Sequence, residues 1–141
     1  MIAVDSNVLV YAHRPEYPLH ARAGAILSAL AQSSWAIPWP CVHEFYATVT
    51  NRRVHADPSS PADAWRQIDA WRASPGLVLI GETHAHADRL REMTITADTM
   101  GARVHDARIA AICVSHGVTE LITMDRDFSR FPAMRTRSLL A

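Results

Sequence analysis

The chain has 141 residues, of which 49% are apolar and 20% charged, a composition typical of one globular domain with a hydrophobic core. Its formal net charge is zero with neutral histidines, so no strong basic field indicates a nucleic-acid partner. All 14 basic residues are arginines. The lack of lysine excludes Schiff-base chemistry, a P-loop and the lysine-dependent receiver domains.

The two cysteines, Cys41 and Cys113, provide neither a disulfide framework nor the spacing of a zinc site. No apolar stretch approaches the ~18 residues of a membrane span. The first residues carry an acid at Asp5 and lack the basic region of a secretion signal. We therefore expect a cytoplasmic protein with no membrane association, folded as a single domain over residues 1–141.

Short apolar strands alternate with amphipathic helices along the chain. A second apolar run, Val8–Ala12, follows the first strand almost at once. Five strands are predicted: Ile2–Asp5, Trp35–Pro38, Leu77–Ile80, Glu120–Thr123 and Thr136–Leu140. This alternation favours an α/β fold with a mostly parallel central sheet covered by helices on both faces, in three layers.

The helices between these strands carry recognisable apolar faces and end signals. Ser60 and Pro61 are typical of a helix start, Thr83 is predicted to cap the next helix, and Gly117 is predicted to end the "VHDARIAAICVSHG" helix. Apolar stripes are predicted on the helix Pro18–Ser33 and on the helix after Thr83: Leu19, Ala23, Ile26, Leu27 and Leu30 on the first, Leu90, Met93, Ala97 and Met100 on the second.

Acidic residues follow several of these predicted strands. Asp5 ends the first strand, Glu44 lies early in the helix after the second, and Asp106 lies in the first turn of the buried helix. Asp125 and Asp127 follow the strand Glu120–Thr123. In sheets of this kind ligands collect at the carboxyl ends of the strands, so four separate segments deliver carboxylates to one edge.

A divalent cation explains such a cluster better than protein contacts do. Two carboxylates ~4 Å apart repel by ~4 kcal/mol at an effective dielectric near 20. A helix N-terminus stabilises a carboxylate by at most ~2 kcal/mol, which is too little to offset this repulsion. Oxygen-only ligands suit Mg²⁺ or Mn²⁺, which can activate water for attack on a phosphodiester. The short polar side chains of Ser6, Asn7 and Thr123 are suited to orienting carboxylates or waters.

Plainer interpretations stay open for each acid taken alone. Asp106 can cap its helix, Glu44 can complement a helix dipole, and Asp127 can pair with Arg126 or Arg130 at the surface.

Histidine and tryptophan residues admit two interpretations as well. His43 and His105 are structural or touch phosphate at the rim of the site, and the pair His84 and His86 is expected to be exposed. The tryptophans can stack bases, but Trp65 and Trp71 have a helical spacing that favours the core or a partner.

Four short segments in order give the chain a family resemblance. The segments "VDSNVLVYA", "HEF", "HDARIAA" and "ITMDRDF" resemble those of the PIN-domain nucleases over essentially the whole sequence. The opening "DSNVLVYAHRPEYPLHARA" is similar to that of VapC-type toxins of toxin–antitoxin pairs.

The resemblance implies a PIN-like, Rossmann-like fold and an Mg²⁺-dependent endoribonuclease in which Mn²⁺ can substitute. The catalytic and metal-binding acids of the family map onto Asp5, Glu44, Asp106 and Asp125. Asp127 can share or replace the role of Asp125. Polar family positions match Ser6 and Thr123, whereas Arg108 stands where an apolar residue is expected and can touch phosphate or face outward.

The same resemblance implies partners. Members of the family are usually homodimers, held inactive by an antitoxin whose tail covers the acidic pocket. A tRNA or ribosomal RNA is the implied substrate, recognised by shape and unstacked loop bases. The alternative is a catalytically silent PIN-like module that binds RNA or protein, and a member of that kind is expected to have lost one or more of the acids.

Overall fold

The computed structural model describes residues 1–141, and its centre is a sheet of five strands. The strands are β1 (Ile2–Val4), β2 (Trp35–Pro38), β3 (Leu77–Ile80), β4 (Glu120–Ile122) and β5 (Thr136–Arg137). They are all parallel and lie in the order β3-β2-β1-β4-β5. Strand β2 is buried along its whole length, as its uniformly apolar sequence predicts for a strand covered on both faces.

Six helices and two short 3₁₀ turns connect the strands. The helices are α1 (Ser6–His13), α2 (His20–Leu30), α3 (Trp39–Val49), α4 (Pro61–Arg72), α5 (His86–Thr96) and α6 (Val104–Ser115). The 3₁₀ turns are Gly101–Arg103 and Arg126–Arg130. None of the helices combines the length and the apolar character needed to cross a lipid bilayer.

The strand order places the helices in two layers. The chain passes from β1 to β2 to β3 through α1–α4 and then returns across the sheet to β4 through α5 and α6. Because parallel crossovers are right-handed, reversing direction moves the connecting helices to the opposite face. Helix α1 packs on α2 and α3, α3 packs on α4, and α5 packs on α6, as this arrangement requires. The predicted three-layer α/β/α fold is confirmed.

Several local predictions are also confirmed. Strands β2 and β3 have the predicted bounds. The Ser60 hydroxyl accepts a hydrogen bond from the backbone N–H of Asp63 at 3.1 Å and so caps α4. Gly117 follows α6 with a φ of +70°, the left-handed conformation that ends helices.

Other local predictions are wrong, mainly at the ends of elements. The Thr83 side chain does not cap α5, which begins at His86 and has no side-chain cap. The stripe predicted to reach Met100 leaves the helix after Thr96, so the Met100 side chain is 71% exposed. The last strand is two residues long because only Thr136 and Arg137 pair with β4.

The β1 strand ends one residue earlier than predicted, and a helix follows it. Asp5 leaves the strand with extended backbone and becomes the N-cap residue of α1. The apolar run Val8–Ala12, to which the sequence assigned no element, is the body of this helix. Val8, Leu9 and Val10 are buried, so α1 is apolar around much of its circumference and lacks clear helical periodicity.

The position of β1 determines where a ligand would bind. Ile2 pairs with Trp35 of β2 on one side and with Glu120 of β4 on the other. The connections leave β1 and β4 in opposite directions, which makes the gap between these two strands the switch point of the sheet. Open parallel sheets bind their ligands outside the carboxyl ends of the strands at such a point.

Candidate metal centre

Asp5 is held at the switch point by hydrogen-bond donors from four residues. Its Oδ1 accepts from the Ser6 backbone N–H at 2.7 Å and from the Cys41 thiol at 3.5 Å. Its Oδ2 accepts from the Thr123 hydroxyl at 2.6 Å and from the Asn7 amide at 3.2 Å. The residue is only 4% exposed, and burial raises the pKa of Asp5 although these hydrogen bonds act in the opposite direction.

The same polar contacts fasten the loop after β4 to the start of α1. The Thr123 hydroxyl donates to Asp5 and accepts from the backbone N–H of Asp125 at 2.9 Å. The Asn7 side-chain carbonyl accepts from the backbone N–H of Met124 at 3.2 Å. Two distant segments are thereby locked together, and the position of the Asp125 backbone is fixed relative to the Asp5 carboxylate.

Glu44 joins this network from α3. The Ser6 hydroxyl donates to its Oε2 at 2.8 Å and lies 3.4 Å from Oδ1 of Asp5, so one hydroxyl connects the two acids. Burial raises the pKa of Glu44, the Ser6 hydrogen bond lowers it, and the charge of Asp5 raises it again. Glu44 is half-buried and faces the same cluster as Asp5.

Three further carboxylates form the tightest group. Asp106, Asp125 and Asp127 each offer an oxygen such that all three oxygens lie within 4.8 Å of one another. Asp125 and Asp127 are held by a turn in which Oδ1 of Asp125 accepts from the backbone N–H of Asp127 at 2.8 Å. The nearest cation is the Arg103 guanidinium, 4.0 Å from Oδ1 of Asp127.

The negative charges of the other four acids all act on the Asp106 carboxyl. Burial and then the charges of Asp125, Asp5, Asp127 and Glu44 raise its pKa from 3.8 to about 6. Five acids therefore act on one another electrostatically, with little compensating positive charge beside them. An all-oxygen donor set of this kind fits a hard divalent cation, whose charge would remove the repulsion.

The structure thus gathers the predicted acids in two connected tiers. Asp5 and Glu44 lie in a hydrogen-bonded tier with Ser6, and Asp106 and Asp125 lie in the tighter group. Asp127, predicted as an accessory residue, belongs to that tighter group beside Asp125.

Two surface predictions for charged residues have definite outcomes. Asp127 pairs with neither Arg126 nor Arg130, because its ion-pair neighbour is Arg103. Arg108 is half-buried beside Glu44, and its Nε donates to Oε1 of Glu82 at 2.6 Å.

The sequence did not predict that Cys41 contacts the Asp5 carboxylate. Cys41 is fully buried and donates a long hydrogen bond to Asp5, and burial raises the pKa of its thiol so that it stays a protonated donor. A signal exists in hindsight, since Cys41 lies one helical turn before Glu44 on α3 and close to the end of β2.

Comparison with known proteins places the chain in a family. Residues 2–134 match the model of the PIN domain. The chain is 37% identical over 139 residues to VapC ribonuclease Mb2897 of Mycobacterium bovis, covering 97% of this chain and 94% of that protein. It is 33% identical over 137 residues to ribonuclease VapC31 of Mycobacterium tuberculosis, covering 96% of each.

Solved structures of low sequence identity have the same fold. VapBC2 of Rickettsia felis bound to a promoter DNA fragment superimposes with a TM-score of 0.73 at 18% identity, covering 98% of both chains. VapC20 of Mycobacterium tuberculosis, described as a sarcin-ricin loop cleaving toxin, gives 0.67 at 19% identity, covering 92% of this chain and 93% of that one. These structures show the fold, and the domain match with the sequence relatives shows the family: the chain belongs to the PIN-domain family, among the VapC ribonucleases.

Proposed function

We propose that this protein is an endoribonuclease that hydrolyses RNA phosphodiester bonds at the acidic cluster and serves as the toxin of a toxin–antitoxin pair. The observation that carries the proposal is the convergence of Asp106, Asp125 and Asp127 within 4.8 Å at the switch point of the sheet. Its relatives named as VapC ribonucleases support the same activity.

Mg²⁺ is the proposed cofactor, and Mn²⁺ is expected to substitute for it. We propose that Asp106, Asp125 and Asp127 hold the cation, with Asp5 and Glu44 completing the site through water or direct contact. When bound, such a cation would compensate the carboxylate and phosphate charges and acidify a water for attack on phosphorus. Charge compensation by the cation would explain how a cluster of carboxylates can accept RNA, whose phosphates are also negatively charged.

The protein's own residues prepare the site for this chemistry. Ser6, Asn7 and Thr123 hold the Asp5 carboxylate by hydrogen bonds and leave it little rotational freedom. The Ser6 hydroxyl also fixes Glu44, and burial raises the pKa of this carboxyl, which favours its uptake of a proton. A rigid set of acceptors of this kind keeps the reacting phosphate and water in line without reorganisation during the reaction.

The proposed partners follow from the relatives and the solved complexes. VapBC2 of Rickettsia felis is described as bound to a promoter DNA fragment, and VapBC of Salmonella typhimurium as bound to DNA. We propose that an antitoxin covers the acidic cluster of this chain, that two copies form a homodimer, and that tRNA or ribosomal RNA is the substrate in the cytoplasm.

The test is cleavage of RNA by purified protein. Total tRNA and ribosomal RNA are incubated with wild-type protein in Mg²⁺ or Mn²⁺, and in EDTA. We expect discrete fragments with either cation, none in EDTA, and none from Asp125→Asn. Glu92→Gln, which changes an acid with a 71% exposed side chain on α5, serves as the matched control and should cleave like wild type.

The silent-module alternative makes the opposite prediction. Intact RNA in every wild-type reaction, with protein shown to be folded by circular dichroism and to bind RNA, would replace the ribonuclease proposal with the binding-module function. Cleavage that survives EDTA or Asp125→Asn would show that the acidic cluster is not the site of the reaction.

A further inference from the structure

A groove lined by aromatic side chains lies between α3 and α4. Its walls enclose about 310 Å³, within the range of pockets that take small ligands. Trp39 is 36% exposed and Trp65 is 47% exposed, although the sequence favoured a core or partner position for Trp65. The groove is lined by Trp39, Val42, His43, Tyr46, Trp65 and Ile68.

The faces of this groove are open for a flat ring. The rings of Tyr46 on α3 and Trp65 on α4 have centroids 6.4 Å apart and are tilted to each other, with their planes at 52°. On the other side, the rings of Trp39 and His43 are 6.2 Å apart at 39°. Neither pair is closely stacked, and the exposed fractions of Trp39 and Trp65 leave part of each indole accessible.

A second, smaller cavity lies next to this groove and includes one residue of the acidic cluster. It encloses about 150 Å³ and is lined by Pro40, His43, Glu44, His105 and Arg108. His43 belongs to both cavities, and Glu44 belongs to both the smaller cavity and the acidic cluster. The two cavities are therefore neighbours, and His43 lies between the groove and Glu44 of the acidic cluster.

The histidine and arginine side chains of the smaller cavity suit phosphate. The rings of His43 and His105 are exposed, and Arg108 engages the protein only through Nε, which donates to Glu82. Their ring and guanidinium N–H groups can donate to phosphate oxygens. A purely apolar partner helix would leave these donors without acceptors, whereas an RNA strand places a phosphate beside them and a base beyond.

We propose that the groove between α3 and α4 is a base-stacking subsite for single-stranded RNA. A nucleotide next to the cleaved bond places its base against Trp39, Tyr46 and Trp65, and its phosphate contacts His43, His105 and Arg108. This inference rests on the proposed ribonuclease function and specifies how the same site holds its substrate. Aromatic stacking tolerates any base, so the subsite contributes affinity and register more than sequence choice.

The test compares two probes of equal charge. A 12-nucleotide oligouridine and a 12-unit abasic ribose-phosphate chain are titrated into wild-type protein with Ca²⁺ in place of Mg²⁺, and binding is followed by anisotropy. We expect oligouridine to bind about 5- to 150-fold more tightly than the abasic chain. Trp65→Ala should lose most of this preference and leave the affinity for the abasic chain unchanged, and Trp65→Phe should restore part of it.

Ile95→Ala is the matched control, because Ile95 is 72% exposed on α5 and lies outside the groove. It should keep the wild-type preference for oligouridine. Equal binding of both probes by wild type, or an unchanged preference in Trp65→Ala, would overturn the base subsite and leave a protein partner as the occupant of the groove. RNA cleavage in Mg²⁺, measured separately, shows whether the ribonuclease proposal itself has failed.

Discussion

Asp106→Asn is predicted to stabilise the metal-free protein at neutral pH while abolishing RNA cleavage. No hydrogen bond contributes to the pKa of the Asp106 carboxyl, which burial and four neighbouring acids raise from 3.8 to about 6. Because the pKa is higher in the folded state, folding is favoured while the group is protonated. That stability is fully present below pH ~4 and is lost as the pH rises through about 6.

The size of the effect follows from the same shift. A rise from 3.8 to about 6 corresponds to ~3 kcal/mol of unfavourable interaction in the ionised form. Asp106 is half-exposed, so solvent screening reduces this to about 1 kcal/mol. An uncharged amide of the same shape removes the repulsion, and Asp106→Asn should therefore raise the free energy of unfolding by about 1 kcal/mol at pH 7.5.

Urea unfolding in EDTA at several values from pH 4.5 to 7.5 measures this difference. The gain of the variant over wild type should be largest at pH 7.5 and shrink toward pH 4.5, where the wild-type carboxyl is mostly protonated. Added Mn²⁺ should stabilise wild type more than the variant, because a ligand bound only by the folded state stabilises it. A variant less stable than wild type at pH 7.5 in EDTA would refute the like-charge reasoning.

Three other substitutions have definite expected outcomes. Thr123→Val removes a donor to Asp5 and an acceptor for the Asp125 N–H, so urea unfolding should show a loss of about 1–3 kcal/mol, together with slower cleavage. Asp5→Asn should abolish cleavage while leaving the fold intact by circular dichroism. It should also lower the urea midpoint, since an amide nitrogen in the place of Oδ2 can accept from neither Thr123 nor Asn7. Gly76→Ala should lower the melting temperature in calorimetry by several degrees, because a Cβ there lies 2.1 Å from the Ser33 carbonyl oxygen; unchanged melting would contradict this.

The alternation of strands and helices predicted most of the fold, because the apolar pattern of each element reflects which of its faces is buried. Strands β2 and β3 are short runs bounded by turn residues, and α4 carries its own start signal in Ser60. Helix α1 was not predicted, because a helix buried on most sides has no polar face to give it a period. Thr83 has the residue type of a cap but lies three residues before α5, a distance that sequence alone does not fix. The assignment of residues 1–141 to one domain stays a prediction.

The site was predictable in its residue types more than in its geometry. Parallel strands bring their carboxyl ends to one edge of the sheet. The acids that follow β1 and β4 were therefore expected to lie close together, whichever side-chain conformations they adopt. The turn after β4 decides which of Asp125 and Asp127 points inward, and there both carboxylates reach Asp106. Cys41 and Glu82 act through contacts between distant segments, which no local pattern encodes.

Calorimetric titration of Mn²⁺ into metal-free protein tests the central claim most directly. Wild type and the Glu92→Gln control should bind the cation with the same affinity, and Asp125→Asn should bind it at least about tenfold more weakly. If wild type takes up no Mn²⁺, or if Asp125→Asn binds it as tightly as wild type, then the clustered carboxylates do not form a metal site and the proposed chemistry has no centre.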